Sequence, residues 1–224
     1  MPLWETRRSA EQALSGPLRP YSDLLSEVFA SLDTCAGRLW RADTPFGRVC
    51  AVVLIKARNL ALGCYSLALD ALAQEAGALL RPLIESLELL EYLRQDPPRV
   101  AEALEQRLPK AGVIAQRIQG KFKDLRDHLS AHASHLSIGS EAMGHLVNLA
   151  DGQVQTVQSY SEPVLRANLR FLLMAIVAAG GVAGRCVSVA EGRRVDALAD
   201  NLNDLSRRAF ELIDPVGAAE QAGN

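Results

Sequence analysis

The sequence predicts an all-α protein: a single helical bundle of about six or seven helices with a small β-hairpin insertion. Three observations carry that prediction. Apolar residues recur at three- and four-residue steps along nearly the whole chain, the spacing that places them on one face of a helix. Aromatic residues make up only 5% of the chain and β-branched residues are sparse, so little of it favours strands. Proline marks the ends of the apolar stripes, at Thr44-Pro45 and at Asp96-Pro97-Pro98, where a helix must start or stop.

A chain of 224 residues buries roughly 70% of the surface its unfolded form exposes, so one domain of this size needs no metal or disulfide to hold it together. With 49% apolar and 22% charged residues, the composition excludes a disordered chain, a collagen and a disulfide scaffold. A formal net charge of -2 and a pI of about 6.1 give no global attraction to nucleic acid or to an anionic membrane. Any such partner must be held by a local patch.

Residues 1–17 read as an N-terminal segment, 18–216 as the bundle and 217–224 as a disordered tail with nothing to bury. The start of the chain has no apolar stretch of the secretory kind. Cys35, Cys50, Cys64 and Cys186 are widely spaced among small and aliphatic residues, with no C-x-x-C pair, and read as reduced core thiols. Both features point to a cytoplasmic protein.

Within the bundle, Tyr21 to Trp40 carries a continuous stripe from Leu24 and Leu25 through Val28 and Leu32 to Leu39. Thr44 is the expected N-cap of the next helix, with Pro45 at its first position, and that helix runs to about Leu69. A turn near Asp70 starts a third, reaching about Arg94 and kinked at Pro82. A more polar fourth helix is predicted from Pro98 to about Gln119, and a fifth from Lys121 to about Ser134. In 145–159 the pattern alternates on either side of Asp151-Gly152, a pair that supplies positive φ at a tight turn, and this is the predicted hairpin. Ser161-Glu162-Pro163 opens a long helix to about Val189, and a last one spans Arg194 to Ile213.

The apolar run from Phe171 to Gly184 has arginines at both ends and falls short of the roughly 20 residues that span a bilayer, so it is expected to be a buried helix and no membrane partner is expected. Its Gly180-x3-Gly184 spacing permits a close helix contact, within the chain or between subunits; tight packing within the chain is the expected use.

The motifs of phosphate-binding loops, dinucleotide sites, nucleophile elbows and zinc proteases are all missing. What stands out is the histidines. His128, His132, His135 and His145 are the only four in the chain and fall in one short window. On a helix the first three share a face, with Asp124 one turn before His128. A metal site is one reading, since histidines at i and i+4 chelate, but no partner motif supplies the remaining ligands. A structural reading places the histidines near a helix C-terminus, where the dipole favours them. The third reading includes Arg126.

Arg126-Asp127-His128-Leu129-Ser130-Ala131-His132 resembles the R-x(4–6)-H motif of HEPN domains, with a polar residue just after the arginine. Ala78 to Arg94 (ALLRPLIESLELLEYLR) is similar to the arginine-plus-glutamate helix of uncharacterised bacterial HEPN-like proteins, and FKDLRDHLSAHASH to their later histidine-bearing stretch. The resemblance implies a compact helical bundle, a homodimer with two motifs facing each other, and metal-independent endoribonuclease activity in a toxin-antitoxin or defence setting, with no cofactor. Its partners would be RNA or an antitoxin-like protein. It also implies His132 as general acid or base, Arg126 as phosphate clamp and Asp127 as an orienting group, a chemistry that a near-neutral imidazole and a bidentate guanidinium can perform. Arg81 and Glu85, with His128 and His135, form a secondary polar cluster in that reading; alternatively Arg81 and Glu85 are a salt bridge. Many HEPN-like proteins are not nucleases. A non-catalytic helical interaction or small-ligand-binding module is therefore the alternative, and a metal-dependent helical-bundle enzyme using His128 and His132 is third. Between Arg99 and Arg126 seven basic residues meet three acids, a segment that either steers a phosphate backbone or forms a solvated basic face.

Overall fold

Thr44 and Pro45 set the sharpest boundary in the chain. In the computed structural model, which describes residues 3–123, 125–126, 147 and 159–214, the Thr44 hydroxyl accepts from the Gly47 amide at 3.0 Å and Pro45 is the first helical residue. The turn before it is so tight that a Cβ on Gly47 would lie 2.5 Å from the Leu39 carbonyl oxygen, and Asp43 takes a positive φ of 54° to make the reversal.

The described residues form α1 (Leu3–Ser15), α2 (Arg19–Arg41), α3 (Pro45–Leu69), α4 (Ala73–Gln95), a 3-10 turn (Pro97–Arg99), α5 (Val100–Leu104), α6 (Ala111–Arg117), α7 (Glu162–Glu191) and α8 (Asp196–Ile213). Eight α-helices thus occur among the described residues, where about six or seven were expected for the whole chain. No strand element occurs among the described residues. The expected hairpin lies outside them apart from Val147 and Ser159.

The long helices α2, α3, α4 and α7 pack around one core. Helix α3 contacts the other three, and α7 also packs on α2 and α4. Leu32, Leu39, Leu54, Leu83, Leu87, Leu90 and Leu169 are among the fully buried side chains, each contributing about 1.5–3 kcal/mol by leaving water. Helix α8 lies on α7 and α2, α6 on α4, and α1 on α2 and α3. The 1–17 segment is thus mostly helix α1, which places Ala10, Ala13 and Leu14 in the core. Arginine-carboxylate forks join helices: Arg7 of α1 to Asp70 after α3, Arg38 of α2 to Glu191 of α7, and Arg208 of α8 to Glu27 of α2.

Helix α4 carries Pro82 in its interior, as expected, and the Ser86 hydroxyl donates to the Pro82 carbonyl at 2.8 Å. The single polar helix expected over 98–119 is instead three short pieces. Gln106 adopts φ 56° after α5, and Pro109 follows, so the backbone cannot continue helically between Leu104 and Ala111. The fifth helix lies outside the described residues beyond Arg126.

Both α3 and α7 are long and apolar enough to cross a membrane by length and composition, and both bury a face in the bundle. On α7 the glycines serve α8: a Cβ on Gly184 would lie 2.5 Å from Leu202 Cδ1, and one on Gly180 3.1 Å from Leu202 Cδ2. The spacing is used within the chain, as expected. All four cysteines are free and buried, and burial pushes Cys35 and Cys64 up to about 12.

Candidate functional site

Helix α4 carries two carboxylates on its buried face. Leu80, Ile84, Leu87, Glu88 and Glu91 follow one another at helical spacing, so the apolar stripe that buries the leucines also carries Glu88 and Glu91 into the bundle, where they are 0% and 2% exposed. A charge in such a position must be paired or neutralised.

Glu91 is paired. Arg94 grips it with two bonds, Nε to Oε2 at 2.9 Å and Nη2 to Oε1 at 2.8 Å, and Lys121 Nζ donates to Oε1 at 3.0 Å. Arg185 of α7 approaches Oε2 at 3.7 Å. The Arg94 bonds, then that of Lys121, outweigh the desolvation of the carboxylate and hold Glu91 down at about 2. Three cations share one negative charge, a local surplus of two.

Glu88 is almost alone. Its only described ion-pair partner is Arg126, whose Nη1 stands 3.4 Å from Oε2, at the long edge of hydrogen bonding. Its other oxygen, Oε1, is buried without any hydrogen-bond partner. Desolvation pushes Glu88 above the usual carboxylate range, and the Arg126 charge only partly opposes this.

Arg81 and Glu85 form an i,i+4 ion pair at 3.3 Å, both about one-third exposed. It is a salt bridge along one face of α4, not a buried pair. Arg126 is the one residue of the expected catalytic trio that the structure describes; Asp127, His128, His132, His135 and His145 lie outside the described residues, as does Asp124. Among the described residues no group of three or more histidine, cysteine, aspartate or glutamate side chains could hold a metal ion.

Of the seven basic residues from Arg99 to Arg126, five are exposed, Arg107, Lys110, Arg117, Lys121 and Lys123, and Arg99 and Arg126 are half-buried. Arg99 stacks on the Tyr92 ring at 4.3 Å and pairs with Asp96. Arg117 donates to the Tyr92 hydroxyl at 2.6 Å, and that hydroxyl in turn donates to Glu102 at 2.8 Å. Arg107 pairs with Glu105, Lys121 with Glu91 and Arg126 with Glu88. Several of these cations are engaged with local acids and with Tyr92, yet most stay exposed, as a phosphate track or a solvated face requires. Around Glu91, the described cations Arg94, Lys121 and Arg185 outnumber their one carboxylate.

Arg94 and Arg185 were not among the candidate residues. The signal for Glu88 and Glu91 was present, two acids on an apolar stripe, but their cations come from three separate parts of the chain. No protein-family model, curated protein or solved structure matches this chain.

Proposed function

We propose that the chain is a cytoplasmic HEPN-like protein that acts on RNA as a homodimer, cleaving it without a metal in a toxin-antitoxin or defence setting. The observation that supports this reading is Arg126. It is drawn to the buried polar face of α4, one turn from the carboxylate around which Arg94, Lys121 and Arg185 gather. A guanidinium whose contact among the described residues is a long one, to a carboxyl shifted above its ordinary range, can exchange that partner for a phosphate. When Glu88 takes up a proton, Arg126 loses its counter-charge and its attraction for an anion rises.

In this mechanism Arg126 clamps the scissile phosphate through two parallel N–H bonds as charge develops on its oxygens. His132 moves the proton between the ribose 2′-hydroxyl and the leaving oxygen, and Asp127 orients the arginine or the histidine. The facing subunit supplies a second proton carrier. Glu88 is a positioning residue: it sets where the guanidinium rests before substrate arrives.

The test is cleavage of mixed RNA in excess chelator by wild type, Arg126→Ala and His132→Ala, with circular dichroism on all three. The expected result is cleavage by wild type and a loss of about 10²-fold or more in each folded variant. No cleavage by wild type, or equal cleavage by all three, contradicts the reading.

A further inference from the structure

Helices α7 and α8 do not close fully against each other. South of the contact that Leu202 makes over Gly180 and Gly184, they leave a groove of about 770 Å³, within the range of roughly 300–1,000 Å³ typical of small-molecule sites. Its walls carry Met174 and Val177 from α7 and Phe210 and Ile213 from α8. Met174 is 44% and Phe210 41% exposed, so two large apolar side chains face water across it.

The charge along this groove is uneven. Arg170 and Arg185 both line it and are 15 residues apart on α7, which sets them about 22 Å apart along the axis. Helix α8 runs back along α7 and ends at Asp214, so the Arg170 end also has an acid in its lining. At the Arg185 end the lining cations are Arg185 and Lys121, and the nearest carboxylate, Glu91, is already gripped by Arg94. Among the described residues, one end is thus close to balanced and the other carries the surplus positive charge. Between them the surface is apolar.

We infer that this groove binds a small, soluble amphipathic anion, with its phosphate or carboxylate head at Lys121 and Arg185 and its single apolar chain over Met174, Val177 and Phe210. The head satisfies the surplus charge, and the chain covers side chains that otherwise face water. Neither half of such a ligand matches the groove alone. The inference rests on the groove and its own charges, not on the RNA chemistry proposed for Arg126 and His132, although Lys121 and Arg185 adjoin the Glu91 cluster that reading cites.

The test is calorimetric titration of the full chain with dodecyl phosphate below its critical micelle concentration, without RNA. Parallel titrations use inorganic phosphate, dodecyltrimethylammonium and vesicles of anionic phosphatidylglycerol. The expected result is 1:1 binding of dodecyl phosphate, about tenfold or more tighter than either small comparator. Arg185→Gln and Phe210→Ser, both at exposed positions, should each weaken it by about tenfold, while Val52→Ser on the exposed face of α3 should leave it unchanged. Equal binding of the cationic amphiphile, binding to vesicles alone, no binding, or wild-type affinity in both groove variants would overturn the inference. Loss of RNA cleavage leaves this titration unaffected, so the two proposals fail separately.

Discussion

Glu88 and Glu91 sit one turn apart on the same helix, equally removed from water, and the structure treats them in opposite ways. Glu91 receives a bidentate arginine and a lysine, and its ionised form is favoured down to about pH 2. Among the described residues Glu88 has one arginine at 3.4 Å, its other oxygen is buried without a hydrogen-bond partner, and burial raises its pKa above the usual carboxylate range. Burial alone does not decide whether a carboxylate is structural. The number and distance of its donors does, and the under-served member of the pair is the one left able to change state.

The largest effect that would break this comparison is on stability. Glu91→Gln leaves Arg94, Lys121 and Arg185 without their common counter-charge, and it should cost about 2–4 kcal/mol in urea unfolding at pH 7, below the full buried-charge penalty because these cations are partly exposed. Glu88→Gln should go the other way, neutral or stabilising by about 1 kcal/mol, because it removes a poorly compensated buried charge. Equal losses in the two variants would contradict the assignment.

The pH dependence sharpens it further. Glu91 has a depressed folded-state value, so its stabilisation is present above its ordinary 4.5 and is lost as pH falls through about 2. Glu88 has a raised one, so its contribution is fully present below the ordinary value and is lost as pH rises through the higher folded-state value. Unfolding followed from pH 2 to 8 should therefore show a weaker acid loss in Glu91→Gln, and a flatter profile on the rising side in Glu88→Gln.

Among the cations, Arg94→Gln should cost more than Lys121→Gln, about 1–2 against about 0.5–1 kcal/mol, since Arg94 makes two bonds and is the less exposed. The smallest effect is expected far from this seam. Asp33→Asn, which breaks an exposed pair with Arg58, should change stability by no more than about 0.5 kcal/mol.

Much of this architecture is legible in the residue pattern. The stripe of α2, the Thr44-Pro45 start of α3 and the nearly all-apolar α7 are local signals, and each appears within a few residues of where it was expected. The 98–119 region is not legible in the same way. Its apolar spacing suits one helix, but Pro109 and the positive φ values at Gln106 and Gln119 divide it, and such backbone choices depend on how Tyr92 gathers Arg99, Glu102 and Arg117. The site shows the same limit. The Arg81–Glu85 pair follows from i,i+4 spacing, whereas the contrast between Glu88 and Glu91 follows from residues of α4, α7 and the turn after α6 meeting in space. No local pattern states which acid receives three of the described cations and which receives one.

The most direct test is the titration of the two carboxyls themselves, by carbon-detected NMR of glutamate-labelled protein, with Glu88→Gln and Glu91→Gln supplying the assignments. The account predicts one resonance that titrates near pH 2 and vanishes in Glu91→Gln, and another that titrates above 4.5 and vanishes in Glu88→Gln. Two carboxyls titrating together at the ordinary value would contradict it.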